Sequence, residues 1–345
     1  MEEMQDVATS LKNVALLRSR IAKDGYLLVR GLVKHEVATA IADKALSLLR
    51  EGRYLVPSLG DDRAVRLPPE RSTDGMFGTL HSIELFHALG WHPHIRQLAI
   101  CLLGISAYAQ PKKVLEALFP ARLGGAPFHT HRDNLGGPWC RDMLTFRVAL
   151  GETTEEMGGI AVLRGSQDYH HAPPKTESSL QHSSMAIPDD SSSDWVTAEL
   201  SAGDVVLMHC YTIHKVLPNR STRPQLTAEY RWQSDDYPLH LSGLLPYRYF
   251  TGYPNIPGWK DLTAGWKDRR WCTYPDSVKI IHSRWPEGSD GSVPPSRLVE
   301  ISAHAREYWQ LEIVNSDVYS TTPYTLPATY RFGQFPVPDL PLGNG

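Results

Sequence analysis

From Val114 onward the chain breaks into short apolar segments, at 114–119, 143–150, 159–163, 196–199, 204–209 and 226–233. Gly124-Gly125, Gly136-Gly137 and Pro173-Pro174 punctuate the intervals. Segments this short cannot complete the three or more turns of a core helix, whereas extended chain of this length is ordinary strand. Strands of this kind must hide one face, so the pattern predicts two packed sheets or a closed barrel. With 345 residues there is enough chain for such a core to enclose a pocket.

The residues before it read as a preface of helices and one strand. Val7, Leu11, Val14, Leu17 and Ile21 recur at three- and four-residue intervals, predicting a helix over 7–23 that Asp24-Gly25 ends. Tyr26 to Arg30 reads as a strand, 34–49 as a second helix, and 51–80, rich in charge, Gly and Pro, as loop. A third helical region covers 82–104 around Pro93. It carries His87, His92 and His94, with His81 just ahead, but no carboxylate or Cys at ligand spacing, so these read as core and surface histidines. The insert at 174–194 is Ser-, Asp- and His-rich and reads as an exposed loop, with His170-His171 part of the same solvated stretch. Beyond Asp235 the chain is dense in Tyr, Trp and Pro, with one helix expected at 296–311. The expected division is 1–110 packed on the core, 111–235 the catalytic core, and 236–345 an aromatic-rich extension serving as lid or homodimer face.

A net charge of -3 with scattered Lys and Arg argues against nucleic acid and anionic membranes as partners. No apolar run reaches the length of a membrane span, and the acidic start, Met-Glu-Glu-Met-Gln-Asp, is unlike a signal peptide, which points to the cytoplasm. Cys101, Cys140, Cys210 and Cys272 form no Cys-x-x-Cys pair and read as reduced thiols in or near the core.

The chemistry starts at Phe128-His-Thr-His-Arg-Asp133, which holds the only His-x-Asp triplet, His131 and Asp133. On a strand, side chains two apart share a face, so one imidazole and one carboxylate can grip an ion from one side. About one such triplet is expected by chance in a chain of this composition, so its meaning depends on a second His. Two neutral imidazoles and one carboxylate form the facial triad of non-haem iron sites, with three positions left open. His214, 83 positions after His131 and just past the apolar segment Val205–Met208, is the best candidate; His209 is its rival.

Here the sequence resembles the phytanoyl-CoA dioxygenase-like branch of the Fe(II)/2-oxoglutarate oxygenases. The resemblance rests on Asp24-Gly-Tyr-Leu-Leu-Val-Arg-Gly-Leu32, His131-Arg-Asp133, Gly158-Gly-Ile-Ala-Val-Leu-Arg-Gly-Ser166, Gly203-Asp-Val-Val-Leu207, and His214 through Asn219, Ser221, Arg223 and Pro224. These motifs fall in the family's order over about 24–233. The resemblance implies a mainly-β fold with flanking helices, a double-stranded β-helix (jelly roll, cupin-like). It further implies His131, Asp133 and His214 as iron ligands, Arg223 as the cation for the distal carboxylate of 2-oxoglutarate, and Fe(II), 2-oxoglutarate and O2 as the cofactor set. An Arg fork suits a buried carboxylate better than the point charge of Lys. Many relatives carry Arg where this chain has Gln225; Arg231, of the same strand parity, is therefore the reserve. Arg147 stands where relatives often have Trp. It reads either as a contact to 2-oxoglutarate or an acidic substrate, or as a surface salt bridge.

His129, Asn134, Trp139 and Tyr211 flank the triad in sequence and read as substrate-pocket candidates at even odds with ordinary packing. The expected activity is oxidation of a C–H bond in a small organic molecule, as in specialised-metabolite tailoring, releasing succinate and CO2. A carboxylate at 133 favours this over halogenation, since related halogenases bind chloride in its place. The alternative is a cupin-like metal-binding protein with a non-oxidative or ligand-binding role. No basic cluster suited to the phosphates of CoA is visible, so an acyl-CoA substrate is disfavoured.

Overall fold

The protein is described by a computed structural model over residues 1–55, 74–121, 130–133, 140, 142–167, 194–244, 246, 258–275, 277–284 and 297–300. The expected loop at 174–194, apart from Asp194, lies outside the described residues, as do His129, Asn134, Trp139, His170 and His171.

The preface forms much as its periodicity requires. Helix α1 covers Val14–Asp24, and Asn13 caps it by accepting a hydrogen bond from Leu16 N through Oδ1 at 3.0 Å. It starts later than expected because this cap, and a short 3-10 turn at Ala8–Ser10, take the first part of the periodic stretch. Gly25, at φ 80°, ends it in the left-handed conformation that glycine adopts without strain. Helix α2, His35–Glu51, buries Ala38, Ile41, Ala42, Ala45 and Leu49. The stretch read as loop over 51–80 contains helix α3, Asp74–His81. Its polar and glycine-containing sequence hid a helix that tertiary packing makes. The region 82–104 splits into α4, Glu84–Leu89, and α5, Pro93–Leu103, because Pro93 lacks the N–H to continue a helix but fits its first turn.

Two sheets follow. The five-stranded sheet has the order β2 (Tyr26–Val29), β7 (Val205–His209), β4 (Met143–Ala149), β9 (Gln225–Gln233), β3 (Tyr108–Leu118), with every pair antiparallel. The four-stranded sheet has the order β1 (Glu2–Glu3), β6 (Trp195–Thr197), β5 (Gly159–Leu163), β8 (His214–Leu217). A small third sheet joins β10 (Leu239–His240), β11 (Ile280–Arg284) and β12 (Arg297–Glu300). The helix expected from 296 is thus strand over 297–300, where pairing with β11 decides the backbone; its remainder lies outside the described residues. Two short helices, α6 (Leu241–Leu244) and α7 (Trp259–Leu262), lie between β10 and β11.

Strand alternation divides the five-stranded sheet into two faces. One carries Leu27, Val29, Leu115, Leu144, Phe146, Val148, Val205, Leu207, Ala228, Tyr230 and Trp232, in one core with Ile41 and Ala45 of α2 and Ile95 and Leu98 of α5. The other face looks across to the four-stranded sheet. Tyr26, Leu28, Val206, Met208 and Ala149 meet Ile160, Val162, Val196 and Ala198 there in a second core. Burying each large side chain of this kind is worth about 1.5–3 kcal/mol. This second core occupies only one half of the space between the sheets. The half beneath β4, β9 and β3 is charged, and the candidate site lies against it.

Candidate metal centre

Residues 130–133 reach the four-stranded sheet at its β8 edge. His131 N donates to His214 O at 2.9 Å and His214 N donates to His131 O at 3.0 Å, an antiparallel bridge that sets the two imidazoles side by side, ring centroids 4.3 Å apart. Asp133 follows, and one donor atom from each of His131, Asp133 and His214 lies within 4.8 Å of the others. His214 rather than His209 therefore completes the group. His209 instead accepts a hydrogen bond from Tyr211 N through Nδ1, at 3.3 Å.

The donor set suits a divalent ion. His214 Nδ1 lies 3.0 Å from Thr212 O; a carbonyl can only accept, so Nδ1 carries the proton and Nε2 keeps its lone pair in the neutral ring. Burial, reinforced by the charge of His131, lowers the His214 pKa to about 4, so the ring is neutral at physiological pH. Burial acts in the opposite sense on Asp133 and pushes its carboxyl up. Arg231, His214 and His131 outweigh it and hold the group well below the usual carboxylate range. Asp133 Oδ1 accepts a hydrogen bond from Arg231 Nη2 at 2.5 Å, the Thr145 hydroxyl acts on the same carboxylate, and the buried Oδ2 forms no hydrogen bond of good geometry. A buried carboxylate oxygen this poorly satisfied, beside two imidazoles, is what a metal ion would complete.

The Arg231–Asp133 pair crosses from one sheet to the other and begins a chain of charges. Arg231 Nη2 is also 3.7 Å from Glu229 Oε2. Glu229 Oε1 accepts from Arg147 Nη1, which also donates to Glu116 Oε2 at 3.0 Å. Register explains the chain: Arg147 pairs with Glu229 and Thr145 with Arg231 across β4 and β9, so these side chains share the face between the sheets. Arg147 is 2% exposed, so the expected surface salt bridge is instead an interior one, fixed by strand parity. Burial, opposed by Arg147, raises the Glu116 pKa.

The other candidates lie apart from this group. Arg223 is exposed and lines an outer groove with Arg50 and Asp43 of α2, so the structure does not bring it to the triad; the turn that ends at Pro224 points it away from the space between the sheets. Ser221 shapes that turn: its Oγ donates to Asn219 Oδ1 at 2.7 Å and accepts from Arg223 N at 3.1 Å. Gln225 is buried, and its Nε2 donates to Thr153 Oγ1 at 3.3 Å. Tyr211 packs with Cys140, Met143, Cys210 and Tyr237 near the triad, and Arg132 is buried beside Tyr211 and Cys210. The expected structural role of the histidines in 81–94 has direct support in backbone bonds. His81 Nδ1 lies 2.8 Å from Phe77 O, His87 Nε2 2.9 Å from His81 O, and His94 Nδ1 2.9 Å from Leu32 O. All four cysteines are buried thiols.

Sequence reasoning passed over Glu116, Glu229 and Lys112. The signal was present: Val114 and Glu116 alternate along β3, and Glu229 and Arg231 along β9, placing charges on one face of strands whose other face is mostly apolar. Among the described residues no helix is long and apolar enough to cross a membrane.

Comparison with solved structures finds partial similarity at low identity. The epimerase SnoN in complex with Fe3+, alpha ketoglutarate and nogalamycin RO is 23% identical, with 64% of this chain and 84% of that chain covered and a TM-score of 0.46. EctD from S. alaskensis with 2-oxoglutarate and 5-hydroxyectoine is 18% identical, with 69% and 84% covered and a TM-score of 0.47. The ThoJ-Ni complex, a non-heme monooxygenase, is 18% identical, with 64% and 77% covered and a TM-score of 0.43. A family model for phytanoyl-CoA dioxygenase (PhyH) matches residues 21–226, a span that holds the triad and strands β3 and β4, and this protein belongs to that family.

Proposed function

We propose that the protein is a non-haem Fe(II), 2-oxoglutarate-dependent oxygenase that oxidises a C–H bond of a small organic molecule, with the two sheets as the halves of a double-stranded β-helix. The observation that carries this reading is the convergence of His131, Asp133 and His214 in a phytanoyl-CoA dioxygenase family member, with Asp133 ionised and His214 neutral as metal ligands must be. Iron with a 2-oxo acid and O2 supplies the oxidant, with succinate and CO2 released.

The chain's own share is to hold the ion, orient its ligands and place an anion beside it. His131, His214 and Asp133 Oδ2 supply the ligand atoms, and Arg231 fixes the Asp133 carboxylate through Oδ1. The charged face supports a dianionic partner. Asp133, Glu229 and Glu116 face Arg231, Arg147 and Lys112, and a divalent ion would add positive charge for an anion to neutralise. Arg231 and Arg147 belong to that face, and Arg223 does not. A carboxylate at 133 fills the position a halide would need, which favours hydroxylation or a related oxidation.

The test is succinate formation, followed by mass spectrometry, from full-length protein with Fe(II), 2-oxoglutarate and O2 over a panel of small organic acids, alcohols and amines. Succinate above background that disappears in His131→Ala and Asp133→Ala supports the reading. Metal-loaded protein that forms none, with or without the panel, removes it.

A further inference from the structure

Two stretches of the family resemblance supply no metal donor: Asp24-Gly25 at the end of α1, and Arg164-Gly165-Ser166 after β5. Both close on residues 210–213, the turn that joins β7 to β8 and delivers His214. Gly165 N donates to Asp24 O at 2.9 Å and Gln167 Nε2 donates to Ala22 O at 2.6 Å, which docks the two stretches on each other. His209 N donates to Gly25 O at 2.9 Å as the chain enters the turn, and Thr212 Oγ1 donates to the same oxygen at 2.7 Å. From the second stretch, Ser166 Oγ accepts from Ile213 N at 2.8 Å and donates to Leu163 O at 2.6 Å. Ser166 and Thr212 are both fully buried. A Cβ on Gly25 would lie 2.4 Å from Gln167 Oε1 and 2.7 Å from Thr212 Oγ1, so the junction has no slack.

A peptide unit is planar, so Thr212 C=O and Ile213 N–H turn as one body. The N–H end is held by Ser166 Oγ, and the C=O end accepts the Nδ1–H of His214 at 3.0 Å. Fixing the first therefore fixes the acceptor that orients the imidazole. The backbone bridge to His131 sets where the His214 main chain lies but leaves its ring free to turn about the side-chain bonds, and the bond to Thr212 O limits that turn. Resting on the reading of His214 as a metal ligand, we propose that Ser166 and Thr212 are positioning residues of the metal centre, their hydroxyls locking the 212–213 peptide plane and so aiming His214 Nε2 at the ion. A hydroxyl suits position 166 because it accepts from one backbone group while donating to another. Alanine there would leave a buried N–H without its acceptor and the plane free to tilt.

Calorimetry with Mn2+ and the visible absorption of the Co2+-loaded protein test this on full-length wild type, Ser166→Ala, Thr212→Val, Thr212→Ser and Thr197→Val. Thr197 is the control: its Oγ1 donates to Ile160 O at 2.9 Å on β6, which β5 separates from β8. Mn2+ affinity is expected to fall roughly tenfold in Ser166→Ala and Thr212→Val, the lower end of what partners of a metal-bound histidine are worth. The Co2+ bands, which report ligand geometry, should change in position or intensity in the same two variants. Thr212→Ser keeps the hydroxyl and should stay within about threefold of wild type with unchanged bands, as should Thr197→Val. A purely structural role would lower the thermal midpoint of Ser166→Ala or Thr212→Val while leaving affinity and bands of the folded protein as in wild type, and that result in either variant overturns the assignment. Thr212→Ser as weak as Thr212→Val, or an equal loss in Thr197→Val, does the same. Should Ser166→Ala yield no folded protein, the two Thr212 variants decide, since valine matches threonine in shape. Wild type that binds neither Mn2+ nor Co2+ overturns the metal-centre reading and this assignment with it.

Discussion

His131 and His214, 83 positions apart in sequence, exchange two backbone hydrogen bonds of 2.9 and 3.0 Å. The spacing of the two imidazoles is therefore set by main chain, and the placement of Asp133 by a side-chain partner. A ligand pair fixed in this way needs little rearrangement to receive an ion.

Asp133→Asn keeps the shape of the side chain but removes the charge. Affinity for Mn2+ or Fe2+, measured by calorimetry or a competing chelator, should fall by roughly a hundredfold or more, since even partners one step removed from a metal are worth 10–100-fold. The thermal midpoint without added metal should fall as well, because the amide no longer balances the Arg231 guanidinium. An Asp133→Asn protein that binds metal as tightly as wild type would exclude this carboxylate as a ligand.

Arg147 is the centre of the buried charge chain, so removing it leaves Glu116 and Glu229 facing each other without their shared cation. Arg147→Met should destabilise the fold by about 3–5 kcal/mol, the usual consequence of stranding buried charge. Neutralising the acids as well, in Glu116→Gln/Arg147→Met/Glu229→Gln, should recover most of the loss. Urea denaturation of the two proteins compares them directly, and equal destabilisation in both would show that the arginine acts by packing rather than by charge.

Two buried histidines predict the acid limb of stability. Burial, aided by the charge of His94, lowers the His92 pKa to about 3, and burial with the charges of Lys113 and His81 lowers that of His87 well below 6.5. The unfolded chain takes up these protons near pH 6.5 and the folded chain does not, so stability is full above 6.5 and declines as pH falls toward 3. His92 contributes a slope on the order of 1.4 kcal/mol per pH unit within that window, and His87 acts in the same direction. His92→Asn retains an acceptor for His94 N, the bond that caps α5, and should flatten the slope by one proton. Thermal midpoints measured between pH 7 and 4 test this, and an unaltered slope in His92→Asn would rule out His92 as a contributor.

Gly203 begins the turn into β7 at φ 95°, and a Cβ there would lie 2.1 Å from Val33 O. Gly203→Ala combines left-handed strain of about 1–2 kcal/mol with a clash against backbone that cannot move aside cheaply. A lower thermal midpoint and poor recovery of folded protein are expected. Unchanged stability would mean that the Val33–Gly203 contact, closed by a 3.0 Å hydrogen bond from Val33 N to Gly203 O, is not held in solution.

Much of the architecture was legible because its determinants are local. The Gly25 stop of α1, the apolar face of α2, and the short strands at 143–149, 159–163, 205–209 and 225–233 follow from periodicity and turn chemistry within a few residues. Strand β8 was not separable, since four residues, His214–Leu217, carry too little pattern to distinguish them from the loop before them. Helix α3 and strand β12 were misread for a related reason: their backbones are decided by what they pack or pair with.

The site divides along the same line. His131, Asp133 and His214 could be named from residue type, spacing and the family's motif order, because a metal centre demands particular donors in a particular sequence context. Which cation faces that centre could not. Arg223, Gln225, Arg231 and Arg147 differ by parity and by where a turn ends, and a shift of one residue carries a side chain from one face of a sheet to the other. Only the register of β3, β4 and β9, and the turn at Asn219–Arg223, placed Arg231 and Arg147 between the sheets and left Arg223 outside. Sequence by itself singled out the three residues that the fold gathers into one cluster, because their donor chemistry is intrinsic to each residue. Tertiary structure decided its charged surroundings, because the energy of a buried charge depends on which partners the opposite strand presents to it.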